Sequence, residues 1–554
     1  MTNYKRFKDP IYGYIDIPID YVKNIIDKSE FQRLRRISQT SYSALYSSSV
    51  HNRFIHSIGV FYLGGIASSY LCAFLSENSS TQKLNNWGRI KEIFDLACLL
   101  HDVGHAPFSH TGEKFFLNKN NKTELDTTEL HNQLKEVVGD ANFNNDIPSA
   151  NPAAPHEIIS AIIGIERFAT YFANAEEKSF FARCITGYKF SDDYDLHGIY
   201  NCFISLLNSK VIDVDKLDYL IRDAYFTGYQ STDIDYQRLL TSLIIIENEV
   251  KINNQVRKVY SLGYRKHALS IIENVVFAHD AERKWIQTHP IVLYETYIIQ
   301  HILDMLDKKI SCCGKKLFSV KTLSKDGESF EGIGKLSLLC DDDIVYLLKS
   351  SLCDNLSTEY FERTQRRHPL WKSEAEYKAS FTSKYGSEGA LIKKFNDTLD
   401  AIEKFIRKNT DTWVINDDLI NKIKKDKETA EELLENKELS EVEQESLKTQ
   451  IFDRKKILPI LECLQNYSEE KGIKCDFVIL NADIFNSGFN KDDFGKIPIE
   501  FDGKYSLFKD VVSTLSSIES SNRNFFYIFY KDSGAIDKNV LRDEMVATMI
   551  KITD

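Results

Sequence analysis

Several things are scarce in this sequence, and each scarcity removes a class of protein. Ten cysteines are spread over 554 residues, mostly single and set in apolar stretches such as "LACLL" and "NCFISLL". That is the usage of buried, reduced thiols in a cytoplasmic protein and not of a disulfide framework. Cys312 and Cys313 are adjacent, but no CxxC pair accompanies them, which speaks against a zinc knuckle. No run of about 18 apolar residues stands out as a membrane span. The opening "MTNYKRFKDPIYGYIDIP" carries charge without an apolar h-region, so it does not read as a secretory signal. Positive charge is in deficit, with 70 Lys and Arg against 81 Asp and Glu and a net charge of −11. A surface of that sign disfavours nucleic acid as a partner, while leaving room for a local basic pocket that takes a small polyanion such as a nucleotide. The sequence has no internal repeat.

What is present suits a large folded chain: 43% hydrophobic and 27% charged residues, enough for two or three domains. The first 300 residues read as mainly helical. In "YVKNIIDKSEFQRLRRISQ", Val22, Ile25, Ile26, Phe31, Leu34 and Ile37 recur at roughly helical spacing. "GRIKEIFDLACLLHDVGH" is an apolar run that ends in His101 and Asp102 before Gly104 breaks it. "PHEIISAIIGI" opens on Pro155, a favourable first helical residue. Residues 118–154 are polar and asparagine-rich and read as an inserted loop with at most one short helix. Residues 241–262 alternate as a β-hairpin does, with Asn253 and Asn254 at the turn. Residues 420–456 are a charged run in which Leu433, Leu434, Leu439, Val442 and Leu447 predict a projecting helical hairpin. The tail, 473–530, contains "KCDFVILNADIF" and "NFFYIFY", which read as strands of a small α+β domain.

Histidine is scarce too, 13 in the whole chain, yet His51, His56, His101, His105 and His110 crowd into two short motifs, "HNRFIHSIGV" and "HDVGHAPFSH". A solvated loop would be richer in Lys, Glu and Ser. The crowding points to a divalent metal site built from His56, His101 and Asp102. A further carboxylate would come from "DVDKLDYLIRD", which offers Asp213, Asp215, Asp218 and Asp223. Imidazole and carboxylate donors suit iron, manganese, zinc or nickel and do not suit a soft thiolate metal.

With these motifs in order, "KDPIYGYIDI", "FQRLRRISQ", "HNRFIHSIGV", "HDVGHAPFSH", "HE" at 156 and "DVDKLDYLIRD", the sequence resembles the HD-domain deoxynucleoside triphosphate triphosphohydrolases (dNTPases). The His-Asp pair alone also occurs in HD-domain phosphodiesterases and stringent-response hydrolases; the first two motifs and "DKLDYLIRD" are specific to the dNTPase branch. The resemblance runs from about residue 4 to 300. It implies a mainly α fold, with an HD-domain helical core over 1–310 and a smaller helical and α+β C-terminal region over 311–554.

The resemblance also implies roles. His56, His101, Asp102 and Asp215 would be the metal ligands. Arg53, Lys216, Tyr219 and Asp223 would hold the triphosphate, directly or through Mg²⁺ or Mn²⁺. His105 and His110 match catalytic histidines, His156 a supporting one, and Glu113 the carboxylate paired with a catalytic histidine. Gln39 matches a reader of the sugar 3′-hydroxyl. Lys5, Asp27, Gln32 and Arg35 match an inter-subunit site for an activating nucleotide, and Arg265 a neighbouring allosteric pocket. The implied protein is a homo-oligomer, dimer or tetramer, that cleaves a dNTP to deoxynucleoside and inorganic triphosphate. Its implied role is control of the dNTP pool, extending to antiviral defence by starving a replicating phage.

The match departs where many members carry a phosphate-binding arginine, since His279 stands there with Arg283 one turn away. Gln287 and Thr40 also differ around the sugar pocket, which leaves the deoxy-versus-ribo choice open. Two other readings stay open: an HD phosphohydrolase acting on another nucleotide, and a nucleotide-sensing oligomer with little turnover.

Overall fold

The computed structural model describes residues 3–553 apart from 78–80, 82–85, 121–123, 149–152, 230–231, 253–254, 313, 353, 386–388, 411–412, 436–439, 483–490, 514–524 and 532. The fold is mainly α with small sheets. Two compact units form, and neither is one continuous stretch. The first takes Met1–Ile286, Ile299–Asp354 and Ser487–Ser521; the second takes Gln287–Ile298, Asn355–Asn486 and Asn522–Asp554. The single cut expected near residue 310 is replaced by exchanged segments.

Four helices of the first unit matter for the site: α1 (Arg53–Glu77), α2 (Trp87–Leu100), α3 (Pro155–Arg167) and α4 (Val214–Thr227). Contrary to the expectation of no long apolar run, α1 is long and apolar enough to cross a membrane by length and composition. Within this fold it is a core helix, with 61% of its apolar window buried. A Cβ on Gly64 would lie 2.5 Å from Cys98 Sγ, so the glycine sets how closely α1 meets α2. Pro155 opens α3 as predicted, and Glu157 accepts the Ala154 amide at 2.6 Å. Asp213 caps α4 by accepting the Lys216 amide at 2.7 Å, and Gly228 ends it at φ 70°.

The segment 118–154 is more ordered than its polar composition suggested. It holds a short two-stranded ladder, Asn118–Asn120 with Glu124–Asp126, and helices Thr128–Val138 and Ala141–Asp146. The longer helix was legible after all. Leu130, Leu134 and Val138 recur every fourth residue and are buried, and Gly139 terminates the helix at φ 68°. Surrounding asparagines masked that stripe.

The hairpin near 241–262 forms, as Leu243–Ile252 against Gln255–Arg265, in register from Leu243↔Tyr264 to Ile252↔Gln255. Its expected turn residues, Asn253 and Asn254, lie outside the described residues. The tail does not make one small domain. Phe477–Asn481 and Phe526–Tyr530 pair antiparallel in the second unit, with His368–Pro369 on the other edge of Phe526–Tyr530. Pro498–Phe501 and Lys504–Leu507, between those strands in sequence, instead extend the hairpin of the first unit. Gly263 makes this possible, because a Cβ there would meet Ile246 Cδ1 at 2.8 Å and the Pro498 carbonyl at 2.9 Å. Periodicity reveals strands but not their partners.

The charged run forms two helices, Asp417–Leu434 and Glu441–Glu470, the second opened by a Ser440/Glu443 capping box. Its seam differs from the expected one. Leu419, Ile420, Ile423 and Ala430 are buried, whereas Leu433 and Val442 are 49% and 81% exposed. Leu439 lies outside the described residues.

Leu134 is fully buried, so Leu134→Ala is expected to destabilise the first unit by about 2–5 kcal/mol. Urea unfolding of the variant checks this.

Candidate metal and acid–base centre

The site starts where α2 stops. After Leu100 the chain must turn back onto α3, and Gly104 permits it: a Cβ there would sit 2.4 Å from the Ser160 amide nitrogen and 2.9 Å from the His156 carbonyl. The turn delivers His101 and Asp102 beside His56 on α1 and Asp215 on α4. His101 Nδ1 lies 2.9 Å from the Cys98 carbonyl, which only accepts, so that nitrogen carries the proton and Nε2 offers a lone pair. His56 Nδ1 lies 2.7 Å from Asp218 Oδ2, which holds its proton there and leaves Nε2, toward Asp215, as the nitrogen that would exchange its proton for a metal ion. The two Nε2 atoms are 3.4 Å apart. Asp215 Oδ1 is 2.9 Å from that of His56 and 3.6 Å from that of His101. Asp102 faces them at 3.6 Å and 3.4 Å. The ligand atoms of His56, His101 and Asp215 all fall within 4.8 Å of one another and can hold a metal ion. Two imidazole lone pairs with carboxylates fit the divalent transition metals expected from sequence.

Behind these residues stands a layer that sequence reading did not assign. Asp218 accepts from Arg222 Nε and Nη2 at 2.8 and 2.9 Å and from the Tyr12 hydroxyl at 2.8 Å. Arg222 Nη1 continues to Asp9 Oδ2 at 3.1 Å. Burial opposes the charge on Asp218, but Arg222 and His56 outweigh it and hold its pKa at about 2. Burial likewise opposes a charged His56, yet Asp215, Asp218 and Asp102 push its pKa up to about 10. The pocket therefore favours positive charge where His56 Nε2 points. Gly59 is part of this layer, since a Cβ there would come within 1.9 Å of Asp218 Oδ1. Its signal in sequence was the i, i+3 spacing from His56, which faces it toward α4.

A second cluster adjoins the first. Glu113 Oε1 lies 2.8 Å from His110 Nδ1, 2.8 Å from His156 Nδ1 and 3.3 Å from His105 Nδ1. His105 and His156 stack at 4.0 Å with planes 11° apart. The other nitrogen of His105, Nε2, is 3.0 Å from Asp102 Oδ1, so one imidazole joins the two clusters. Burial, with Arg53 and His156 nearby, drives the His105 pKa down to about 3. Burial also opposes charge on His156, but Glu113 raises it to about 9. Glu113 is held well below the usual carboxylate range, because His156 and His110 outweigh the cost of its burial. His110 alone is open to solvent, with 55% of its side chain exposed.

Among the expected phosphate-binding residues, Arg53 is buried, with Nη1 2.9 Å from Asp102 Oδ2, Nε 2.9 Å from Ser109 Oγ and Nη2 3.3 Å from the Gln39 carbonyl. Gln39 is buried beside it, and its backbone N–H donates to the His51 carbonyl at 3.1 Å. Lys216 Nζ reaches Asp213 Oδ2 at 2.7 Å and the Ser209 carbonyl at 2.8 Å. Tyr219 is half-buried, and burial with Glu282 and Asp215 keeps its phenol protonated. Asp223 pairs with His51 Nε2 at 2.6 Å, and His51 stacks on Phe226. His279 is buried, and burial with Lys216 and Arg283 drives its pKa down to about 3.

The residues matched to a regulatory site lie elsewhere. Gln32 donates to the Ile26 carbonyl at 2.7 Å and accepts from Arg35 Nε at 3.0 Å, and the Arg35 guanidinium covers the Phe54 ring at 3.5 Å. Asp27 is exposed just beyond Val22–Ile26, and Lys5 is exposed on the first strand, Tyr4–Asp9. Arg265 is half-buried at the end of Gln255–Arg265. All cysteines among the described residues are free, six of the eight buried.

No family model matches the chain. It is 27% identical over 314 residues to "Uncharacterized protein MG461 homolog" of Mycoplasma pneumoniae, covering 54% of this chain and 61% of that one. It is 28% identical to "Uncharacterized protein YwfO" of Bacillus subtilis, covering 46% and 47%. To "Deoxynucleoside triphosphate triphosphohydrolase SAMHD1" of Danio rerio it is 31% identical, covering 43% and 36%. The chain thus spans about half the length of the curated relatives it matches. The fold is similar over 98% of this chain to a hypothetical protein from Aquifex aeolicus, with a TM-score of 0.52 and 18% identity.

Two expectations follow. Asp218→Asn should weaken metal binding by about 10- to 100-fold while His101→Ala abolishes it, as read by competition with a chelator. The raised His156 pKa contributes stability that is full below its unfolded value of 6.5 and is lost as pH rises through about 9. The unfolding free-energy gap between wild type and His156→Gln should therefore shrink from pH 6.5 to pH 9.

Proposed function

We propose that this protein is a metal-dependent dNTP triphosphohydrolase that cleaves its substrate to deoxynucleoside and inorganic triphosphate. The observation that carries the reading is the 3.0 Å contact of His105 with Asp102, which couples the metal-binding cluster to a carboxylate serving three histidines. The names of several relatives support the substrate class.

Hydrolysis at the α-phosphorus breaks the bond to the 5′-oxygen, so it needs an attacking water, neutralised phosphate charge and a proton for the leaving oxygen. A divalent ion held by His56, His101, Asp102 and Asp215 supplies, when bound, Lewis-acid chemistry at phosphorus and a water of lowered pKa. The chain does the rest. Arg53 spends one N–H of each terminal nitrogen on Asp102 and the Gln39 carbonyl, and the remaining two are directed to phosphate oxygens. Lys216 adds a point charge beside Asp215. Tyr219 and Asp223 line the polyphosphate path, Asp223 through Mg²⁺ or Mn²⁺. His110, with Nδ1 on Glu113, turns Nε2 to the leaving 5′-oxygen as general acid. His156 shares Glu113 and sets its charge. Gln39 reads the sugar. A nucleotide sensor with little turnover would have no use for Glu113 and its three histidines.

Regulation is part of the proposal. An activating nucleotide would sit on Lys5, Asp27, Gln32, Arg35 and Arg265 between subunits of a dimer or tetramer and favour the active assembly by binding it more tightly. Depletion of the dNTP pool, including as antiviral defence, is the role this activity would serve in a cytoplasmic setting.

Incubation with each dNTP and NTP, singly and in pairs, with Mn²⁺ or Mg²⁺ and chromatography of the products tests the reaction. Triphosphate is expected; monophosphate with pyrophosphate, or diphosphate with phosphate, would contradict it. Arg35→Ala should lose acceleration by a second nucleotide and any nucleotide-dependent change in size by light scattering, while keeping its metal.

A further inference from the structure

The turn that carries the histidines of the site is held from outside by two buried charged residues. Arg33, 4% exposed, donates from Nη1 to the Leu339 carbonyl at 2.8 Å and from Nη2 to the Val103 and His105 carbonyls at 2.9 and 2.8 Å. Asp341, 8% exposed, accepts the Phe108 amide on Oδ1 at 2.6 Å and the Ser38 amide on Oδ2 at 2.8 Å. Two chain segments, 33–38 and 339–341, thus grip residues 103–108 and each other. Three backbone groups of an irregular turn, two carbonyls and an amide, find their partners this way.

The turn needs holding. Phe108 and Ser109 both lie in the left-handed region, at φ 57° and 54°, where non-glycine residues persist only if the surroundings impose it. Ser109 then meets Arg53 Nε and the Ser38 carbonyl through its hydroxyl, and His110 follows at once onto Glu113. A buried guanidinium and a buried carboxylate are costly groups to spend on main-chain contacts.

We infer that Arg33 and Asp341 are positioning residues, which clamp the strained turn so that His105 and His110 meet Glu113 and Ser109 meets Arg53. Neither touches substrate. The inference deepens the proposed function, resting on its assignment of acid–base work to this turn.

Asp341→Ala removes both acceptors. Asp341→Asn keeps one and turns an amide donor toward the other backbone N–H. Arg33→Lys offers one ammonium where a planar fork reached three carbonyls. Hydrogen–deuterium exchange reads the clamp without reference to turnover. Residues 103–112 should exchange about tenfold or more faster in Asp341→Ala, less so in Asp341→Asn and Arg33→Lys, with the rest of the first unit unchanged. In the same order kcat should fall, on the order of 10²-fold for Asp341→Ala, while KM and bound Mn²⁺ stay near wild type. Wild-type exchange over 103–112 in all three variants overturns the inference. So does faster exchange throughout the unit with loss of Mn²⁺, because the residues would then serve the fold at large. A wild-type protein that cleaves no nucleotide overturns the proposed function, and the exchange arm still decides the clamp.

Discussion

Everything in this site depends on keeping one carboxylate, Asp102, ionised in the protein interior. It is 1% exposed, and a charge buried to that degree survives only with partners on every side. Arg53 supplies the countercharge at Oδ2, His105 Nε2 lies 3.0 Å from Oδ1, and His56 and His101 face Oδ2 and Oδ1 in turn. Burial pushes its pKa up, but the adjacent Arg53 guanidinium leads the interactions that outweigh it, so the carboxyl stays well below the usual range. The spacing of Arg53 and His56 on one turn of α1 follows from this, since one neutralises Asp102 while the other shares its pocket.

That arrangement divides the centre into two halves with opposite electrostatics. On one side, Asp102, Asp215 and Asp218 gather negative charge around two imidazoles, with Arg222 and Tyr12 stiffening Asp218 from behind. On the other, Glu113 is a single negative charge among three histidines. His105 stands between the halves and is kept neutral by burial, Arg53 and His156. With Nε2 3.0 Å from Asp102 and Nδ1 3.3 Å from Glu113, this imidazole adjoins both carboxylates, and in its neutral form it has a single N–H to offer them.

How much of this was legible in the sequence varied with the kind of information needed. That His56, His101, Asp102 and Asp215 would converge, with a histidine cluster beside them, was visible because rare residue types recur in short motifs, and residue type is what metal and proton chemistry select. The helix Thr128–Val138 was hidden by asparagines although its Leu130, Leu134 and Val138 stripe was there to be counted. Leu433 and Val442 were misjudged as a seam, because a charged hairpin offers several apolar stripes and only packing selects one. The strand Pro498–Phe501 was not read from the sequence at all, and its place beside Gln255–Arg265 could not have been, since pairing across more than two hundred residues leaves no local mark. The roles of Arg33, Asp341, Asp9 and Tyr12 were not legible for the same reason, although Arg33 stands in "FQRLRRISQ" and Asp9 and Tyr12 in "KDPIYGYIDI". Their work is defined by backbone groups and side chains far away in the chain, and an isolated Arg or Asp usually means a surface charge.

The central claim is that these clusters direct water to the α-phosphorus and expel the intact polyphosphate. Hydrolysis of a dNTP in ¹⁸O-labelled water with Mn²⁺, followed by mass spectrometry of the products, tests it most directly. The account predicts one labelled oxygen in inorganic triphosphate and an unlabelled deoxynucleoside. Label in the deoxynucleoside, or in monophosphate, pyrophosphate or orthophosphate, would contradict it.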